Sequence, residues 1–417
     1  MIFYIIEMGE DMTYQLSDGL PWSLEALLIT ILLLGNFFPF YIALAVFAVV
    51  FIILGMTNCF KPSFINLQAE QVMTWIFIFY TMSISTIFQN WIGLLISFGF
   101  LFAFLIFAYY ERAIRPYFFE DLMNICLLAS MILFIFALLE NFKFIPEWDY
   151  TFISKAMSKT HPNRVEATFF NPNYYAMMLE FFFLIGIYKL NHSKKIRKKI
   201  TYGLISACNL LAIIYTGNRT SYGVLIFSIL VYFYVLGYKK QAVLSFITML
   251  VGLLLLIPTD ILPRMDDLNF AIGDRWYIWQ GTLSMLKDNL WFGQGPMTYL
   301  HIRLQYPEAK GTVYHAHNLF LNMWLDFGLV GLSIMAYPLL GYIKLLNRMR
   351  YFPRLRPRLA LVMSFWATVL IHGLTDVTIM SIQTLFLFAV VILPIRNMVS
   401  EYEQEKSSKV HHPFYSQ

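Results

Sequence analysis

The chain has 417 residues, of which 59% are hydrophobic and 13% charged, about half the roughly 25% charge of a soluble domain. That balance excludes a water-soluble globular protein. The net charge of +5 comes from Lys and Arg between hydrophobic runs, a topology signal and not a nucleic-acid stripe, and Cys59, Cys126 and Cys208 lie too far apart for a disulfide framework or a cysteine-bound metal.

The opening "MIFYIIEMGEDMTYQLSDGLPW" has neither a basic leader nor a small-residue cleavage site, so it is not expected to be a removable signal. An apolar block from Leu24 to Met56 is interrupted at "GNFFP", where Gly35 and Pro39 predict a tight reversal between two spans. Further spans are expected over Val72–Phe88, Trp91–Tyr109, Leu122–Leu139, Tyr174–Leu190, Ile200–Tyr215, Ser221–Leu236, Ala242–Ile257, Leu319–Leu345, Leu359–Leu374 and Met380–Pro394. This gives about twelve crossings by an all-α, polytopic integral membrane protein, residues 1–417 forming one membrane domain.

Basic residues set the expected orientation. Lys189 with Lys194 to Lys199, Lys344 to Arg358, Arg112 with Arg115, and Lys239 with Lys240 fall on one side if the spans alternate, and that side is cytoplasmic by the positive-inside rule. Both termini are then cytoplasmic. Two long connections, 141–173 and 258–318, are left outside, and long loops are uncommon without a job.

The second long loop contains "GDRWYIWQGTLSMLKDNLWFGQGP". Asp274 reads as a helix start and the "GQG" as its stop, with apolar residues at helical spacing between them. Trp276, Trp279 and Trp291 suit the water–lipid interface. The loop ends in "YHAHNLFLNMWLDFGLVGL", where His315, His317 and Asn318 stand at the mouth of the tenth span. Gly328 and Gly331 would permit close packing there.

These segments together carry a resemblance. The pattern H-N-x9-G-x-x-G from His317, the preceding Arg275, Trp279, Asp288, Gly293, Gly295 and Pro296, the arginine turn "TGNRTSYGVLIF", the outer motif "RVEATFFNPNYYA" and the outer turn "HGLTD" look like the O-antigen ligase and O-antigen polymerase superfamily. Their order covers most of the second half of the chain. Before about Asp149 only the hydrophobicity matches.

The resemblance implies a GT-C-like membrane glycosyltransferase in the cytoplasmic (inner) membrane of a bacterium, working on the extracytoplasmic face without cofactor or metal. The donor would be a glycan on an undecaprenyl-pyrophosphate-type carrier, and the acceptor a sugar hydroxyl on a glycan or lipid-linked partner; nucleic acid is not a partner. Transfer with inversion needs a base for the incoming hydroxyl and cations for the departing pyrophosphate. Neutral imidazole suits the first task, and the motif maps it onto His317. Arginine suits the second, since its planar fork holds phosphate oxygens in pairs, and the motif maps this role onto Arg219 and Arg275.

Supporting positions are Arg164, Asn173, Arg303, His315, Asn318 and Asp326. Asn171 and Asn173 are expected either to cap the next span or to donate to phosphate, and Arg164 and Arg303 to serve loop structure or the glycan path. Glu180 and Asp326, as carboxylates within spans, are site candidates by default, and His372 and Asp376 are placed to face the same cavity. His161, His192, His301 and the "VHHP" tail read as ordinary polar positions. Polymerisation of repeat units is the preferred activity, with ligation of a finished chain to lipid A–core or another acceptor as the alternative. A lipid-linked glycan transporter is a third reading, disfavoured because the polar signals gather in outer loops instead of broken midplane helices.

Overall fold

The computed structural model describes residues 20–61, 64, 68–144, 164–259, 261–264, 268–309 and 313–411. The opening segment to residue 19, most of the first long outer loop with His161, and the end of the tail lie outside them. No strand occurs among the described residues.

The first two helices, α1 (Trp22–Gly35) and α2 (Phe40–Met56), form the expected reversal. Pro39 starts α2 with its fixed φ, and Gly35 lets the pair close, because a methyl there would lie 2.6 Å from Val46. Next come α3 (Ala69–Ile87), α4 (Trp91–Ala113) and α5 (Phe118–Asn141). They are followed by α6 (Pro172–His192), α7 (Ile196–Thr216), α8 (Thr220–Leu236) and α9 (Lys239–Leu256). Asn171 caps α6 by accepting from the Asn173 amide, and Pro172 fills the first helical position, where its missing N–H costs nothing.

The second long loop carries α10 (Leu268–Asp288) and the short α11 (Thr298–Ile302). Here the sequence reading needs correction. Asp274 does not open α10, which begins six residues earlier at Leu268; Gly273 is the only poor helix former in that stretch, and its cost of about 1 kcal/mol does not stop a helix. The chain then forms α12 (Leu319–Met349), α13 (Arg356–His372), α14 (Ile382–Ile392) and α15 (Ile395–His411).

By length and composition, 6 helical stretches among the described residues can cross a membrane, and α1, α2 and α8 are shorter apolar helices. Helix α6 is the axis of the bundle. Residues from Tyr175 to Ile185 are buried on every side, as suits a helix apolar all round, and Phe181 stacks on Phe365 of α13 at 4.3 Å. Helix α9 buries only Ala242, so its apolar surface is left for lipid.

Helix α12 is broken at Gly328, where φ is 59° and ψ −178°. The freed backbone is satisfied by the second long loop, as it must be in an apolar setting. Gly295 N donates to Asp326 O, Leu329 N to Leu290 O and Val330 N to Trp291 O. A methyl on Gly328 would sit 2.3 Å from the Trp291 carbonyl oxygen, and one on Gly293 2.4 Å from that of Asp326. The Tyr80 hydroxyl lies 2.6 Å from the Phe292 carbonyl oxygen. Asn90, which caps α4, donates to the carbonyls of Gln294 and Pro296. The glycines of the two motifs therefore zip the loop into the helix break.

The bundle has two chemically distinct ends. At one, Arg112 donates to Cys59 O, Arg356 to Val235 O and Lys189 pairs with Glu120. At the other, Thr168 donates to Phe37 O, Asn36 to Gln383 O, and Glu140 accepts the amides of Glu166 and Ala167. The basic clusters gather at the first end and the motif residues at the second.

Candidate active site

The site is assembled where α12 starts. Asn318 is the N-cap of this helix, accepting from the amides of Phe320 and Leu321, a contact worth about 1 kcal/mol. Its amide nitrogen also donates to Leu374 O, and Leu319 N donates to Gly373 O. The cap thus stitches the histidine segment to the turn after α13.

His317 is held in the left-handed region at φ 46°, a conformation that costs a non-glycine residue about 1–3 kcal/mol and recurs at functional sites. Three contacts hold it: its amide donates to His315 Nδ1, its carbonyl accepts from the Trp279 indole, and its ring packs edge-on against His315. Half-buried Trp279 therefore steadies the histidine through its indole N–H. Trp276 and Trp291, which are exposed, keep the interfacial reading.

The imidazole faces Asp376. Nδ1 of His317 lies 3.3 Å from Asp376 Oδ1, within ion-pair range but without the alignment of a hydrogen bond. Asp376 also accepts from the Val377 amide and from Asn173 Nδ2. Burial alone would raise its carboxyl, but His317, then His315 and His372, outweigh burial and hold it well below the usual carboxylate range. His315 is pulled down to about 4 by burial and by neighbouring His317, so it is neutral near pH 7.

Arginines surround this pair. Arg164 donates to Thr216 O and Asn173 Oδ1, Arg219 to Arg264 O, and Arg275 to Thr375 O. Burial, then the charges of Arg264 and Arg219, against the pull of Asp376, lower Arg164 to about 10. Burial likewise lowers Arg275, with Asp376 opposing. Both therefore stay charged near neutrality. Gly217, at φ 61°, lies beside both Arg164 and Arg264; a methyl there would be 3.6 Å from Arg164 Nε and 3.5 Å from Arg264 Cδ.

Asn173 is the hub, linking Arg164, Asn218 and Asp376 through its amide. Capping belongs to Asn171 instead. Arg264 and Asn218 escaped the sequence reading. Asn218 sits inside the "TGNRT" turn already singled out, whereas nothing in "LPRMDD" marked Arg264.

Two supporting candidates act away from the reacting centre. Asp326 is buried and accepts from the Thr298 amide and from Asn322 Nδ2, while Asn322 Oδ1 accepts from the Ala316 amide. It pins the loop beside His317. Arg303 donates to Val313 O and lies over the Tyr314 ring at 5.2 Å, so it serves loop structure.

His315, His317 and Asp376 offer ligand atoms within 4.8 Å of one another. The His317 amide already occupies His315 Nδ1, and the arginines make the surroundings strongly positive, which opposes a divalent cation. An anion of phosphate type fits this cluster better, because the planar guanidiniums of Arg164 and Arg275 both lie close enough to Asp376 to feel its charge. Two cavities of about 370 and 460 Å³ open at the basic end of the bundle. Their charges are largely paired, as in Arg348–Glu403, Arg396–Glu111 and Lys189–Glu120, and no candidate site residue lines them.

Residues 204–336 match the family model described as O-antigen ligase. The matched stretch contains Arg219, Arg264, Arg275, His317, Asn318 and Gly328, and ends within α12. No curated protein matches the chain.

Proposed function

From its place in the O-antigen ligase and polymerase superfamily, we infer that the protein is a GT-C-like bacterial inner-membrane glycosyltransferase that moves a glycan from an undecaprenyl-pyrophosphate-type carrier to a sugar hydroxyl. The observation that carries this reading is the His317–Asp376 contact with Arg164 and Arg275 close beside the carboxylate. The site end lies outside the cytoplasm and the basic end within it, which puts both termini inside. The long carrier enters sideways from lipid and never leaves the bilayer.

Asp376 faces Nδ1 of His317, which favours the tautomer with a proton on Nδ1 and a free lone pair on Nε2. Nε2 takes the acceptor hydroxyl proton as that oxygen bonds to the anomeric carbon. The bond from this carbon to the carrier pyrophosphate breaks on the opposite face, inverting the centre, and the pyrophosphate leaves with its electron pair. Arg219 and Arg275, joined by Arg164 and Arg264, stabilise the charge that develops on it. The chain's own residues supply both needs of the reaction, so no metal or cofactor enters the scheme.

We assign the acceptor as another lipid-linked repeat unit, making the protein a polymerase of surface polysaccharide. The matched family is described as O-antigen ligase, which favours the alternative, transfer of a finished chain to lipid A–core or another acceptor. Glycan length in a deletion strain separates the two: single repeats on the surface acceptor mark a lost polymerase, and long chains stranded on carrier lipid a lost ligase. Transfer by purified protein in detergent, from lipid-linked donor and without any gradient, tests the enzyme reading itself. Absence of transfer together with gradient-driven movement of the donor across vesicles would support a transporter instead.

A further inference from the structure

We propose that Glu180 and His372 form a buried brace that positions Asp376, and through it His317, a role resting on the glycosyltransferase reading above. Glu180 lies in α6 and His372 is the last residue of α13, and both are fully buried. Nδ1 of His372 lies 3.2 and 3.1 Å from the two carboxylate oxygens of Glu180, and its Nε2 lies 3.1 Å from Thr378 Oγ1. Both ring nitrogens are thereby engaged.

The brace holds the turn at both ends. The His372 carbonyl accepts the amides of Thr375 and Asp376, fixing how the chain leaves α13. Two residues past Asp376, the Thr378 side chain is tied back to the His372 ring, and the Thr378 carbonyl accepts from Thr384 Oγ1 of α14. Asp376 lies between these two anchors. Helix α6 contributes a second tie, because Asn173, seven residues before Glu180 and on the same helical stripe, donates to Asp376 Oδ2.

An unpaired carboxylate within a membrane bundle is costly, and a turn needs none to form. Glu180 is therefore explained by what it holds. Among the described residues, neither Glu180 nor His372 shares a hydrogen bond or ion pair with His317, so both are positioning residues.

The test uses full-length protein purified in detergent, with an undecaprenyl-pyrophosphate-linked repeat unit from the native host as donor. Thr378→Val and Glu180→Leu are expected to lower kcat about 10- to 10²-fold, the scale of a small misplacement of a catalytic group, with donor KM little changed. Glu180→Gln, which can still accept from the His372 ring, should recover much of that loss. Wild-type kcat in folded Thr378→Val, or equal loss in the Gln and Leu variants, would overturn the brace. If Glu180→Leu does not fold, Thr378→Val decides alone: lowered kcat at unchanged KM in that variant supports the brace, and wild-type kcat refutes it. A wild-type rate in His317→Ala would instead overturn the base assignment, so the two failures are separable.

Discussion

His317 at the mouth of α12 and Asp376 in the turn after α13, 59 positions apart in sequence, meet at 3.3 Å. The contact is held from both sides, by the Asn318 and Leu319 stitches to residues 373–374 and by Asn173 on the carboxylate. Replacing Asp376 by Asn removes the charge and offers an amide that can favour the wrong imidazole tautomer. The expected result is a fall in kcat of about 10²- to 10⁴-fold, the range of general-base catalysis, with donor binding nearly intact. A single-turnover transfer assay checks it.

Arg219 and Arg275 are assigned to the leaving pyrophosphate. Lysine in their place keeps the charge and loses the fork. Since hydrogen bonds to charged groups are worth about 1.5–3 kcal/mol, each Arg→Lys change should weaken donor binding about 10- to 10²-fold. Titration with lipid-linked donor measures this, and unchanged affinity in both variants would remove the pyrophosphate assignment.

The break in α12 depends on Gly328. A methyl there meets the Trp291 carbonyl oxygen at 2.3 Å and the backbone is at φ 59°, so Gly328→Ala should destabilise the protein by more than about 1 kcal/mol. Thermal unfolding in detergent is expected to shift downward. Gly223→Ala is the control, because a side chain there has nothing within 4 Å.

His315 gives the fold a pH dependence. Its folded value, lowered to about 4, lies below the ordinary histidine value of about 6.5. Between these two values the unfolded chain binds more protons, so stability falls as pH drops through that window. His315→Gln should therefore lose less melting temperature than the wild type between pH 7 and about 5, a range chosen within that window. Asp376, whose carboxyl is depressed, contributes stability present above the unfolded carboxylate value and lost only as pH falls through its lower folded value. Its window lies below the range tested.

Much of this arrangement was legible in the sequence because it is local. The reversal at Gly35 and Pro39, the cap at Asn171, and the segment ending in His317 and Asn318 each follow from residue type and near neighbours. What was not legible depends on distant pairing. Arg264 joins the cluster because the chain carries it back beside Gly217 and Arg219. Asp326 reads as an intramembrane carboxylate until its bonds to Thr298 and Asn322 are seen. Asp274 has the chemistry of a cap, but the helix starts at Leu268 because nothing before Asp274 stops it. Trp279 carries the same interfacial signal as Trp276, and its partial burial and bond to the His317 carbonyl set it apart only in the fold.

The central claim is that His317 takes the acceptor proton. Its most direct test is the rate of glycan transfer by purified His317→Ala protein, folded as judged by its melting temperature, from a lipid-linked donor that it still binds. If His317 is the base, kcat falls about 10²- to 10⁴-fold with donor affinity retained; transfer at the wild-type rate would exclude that role.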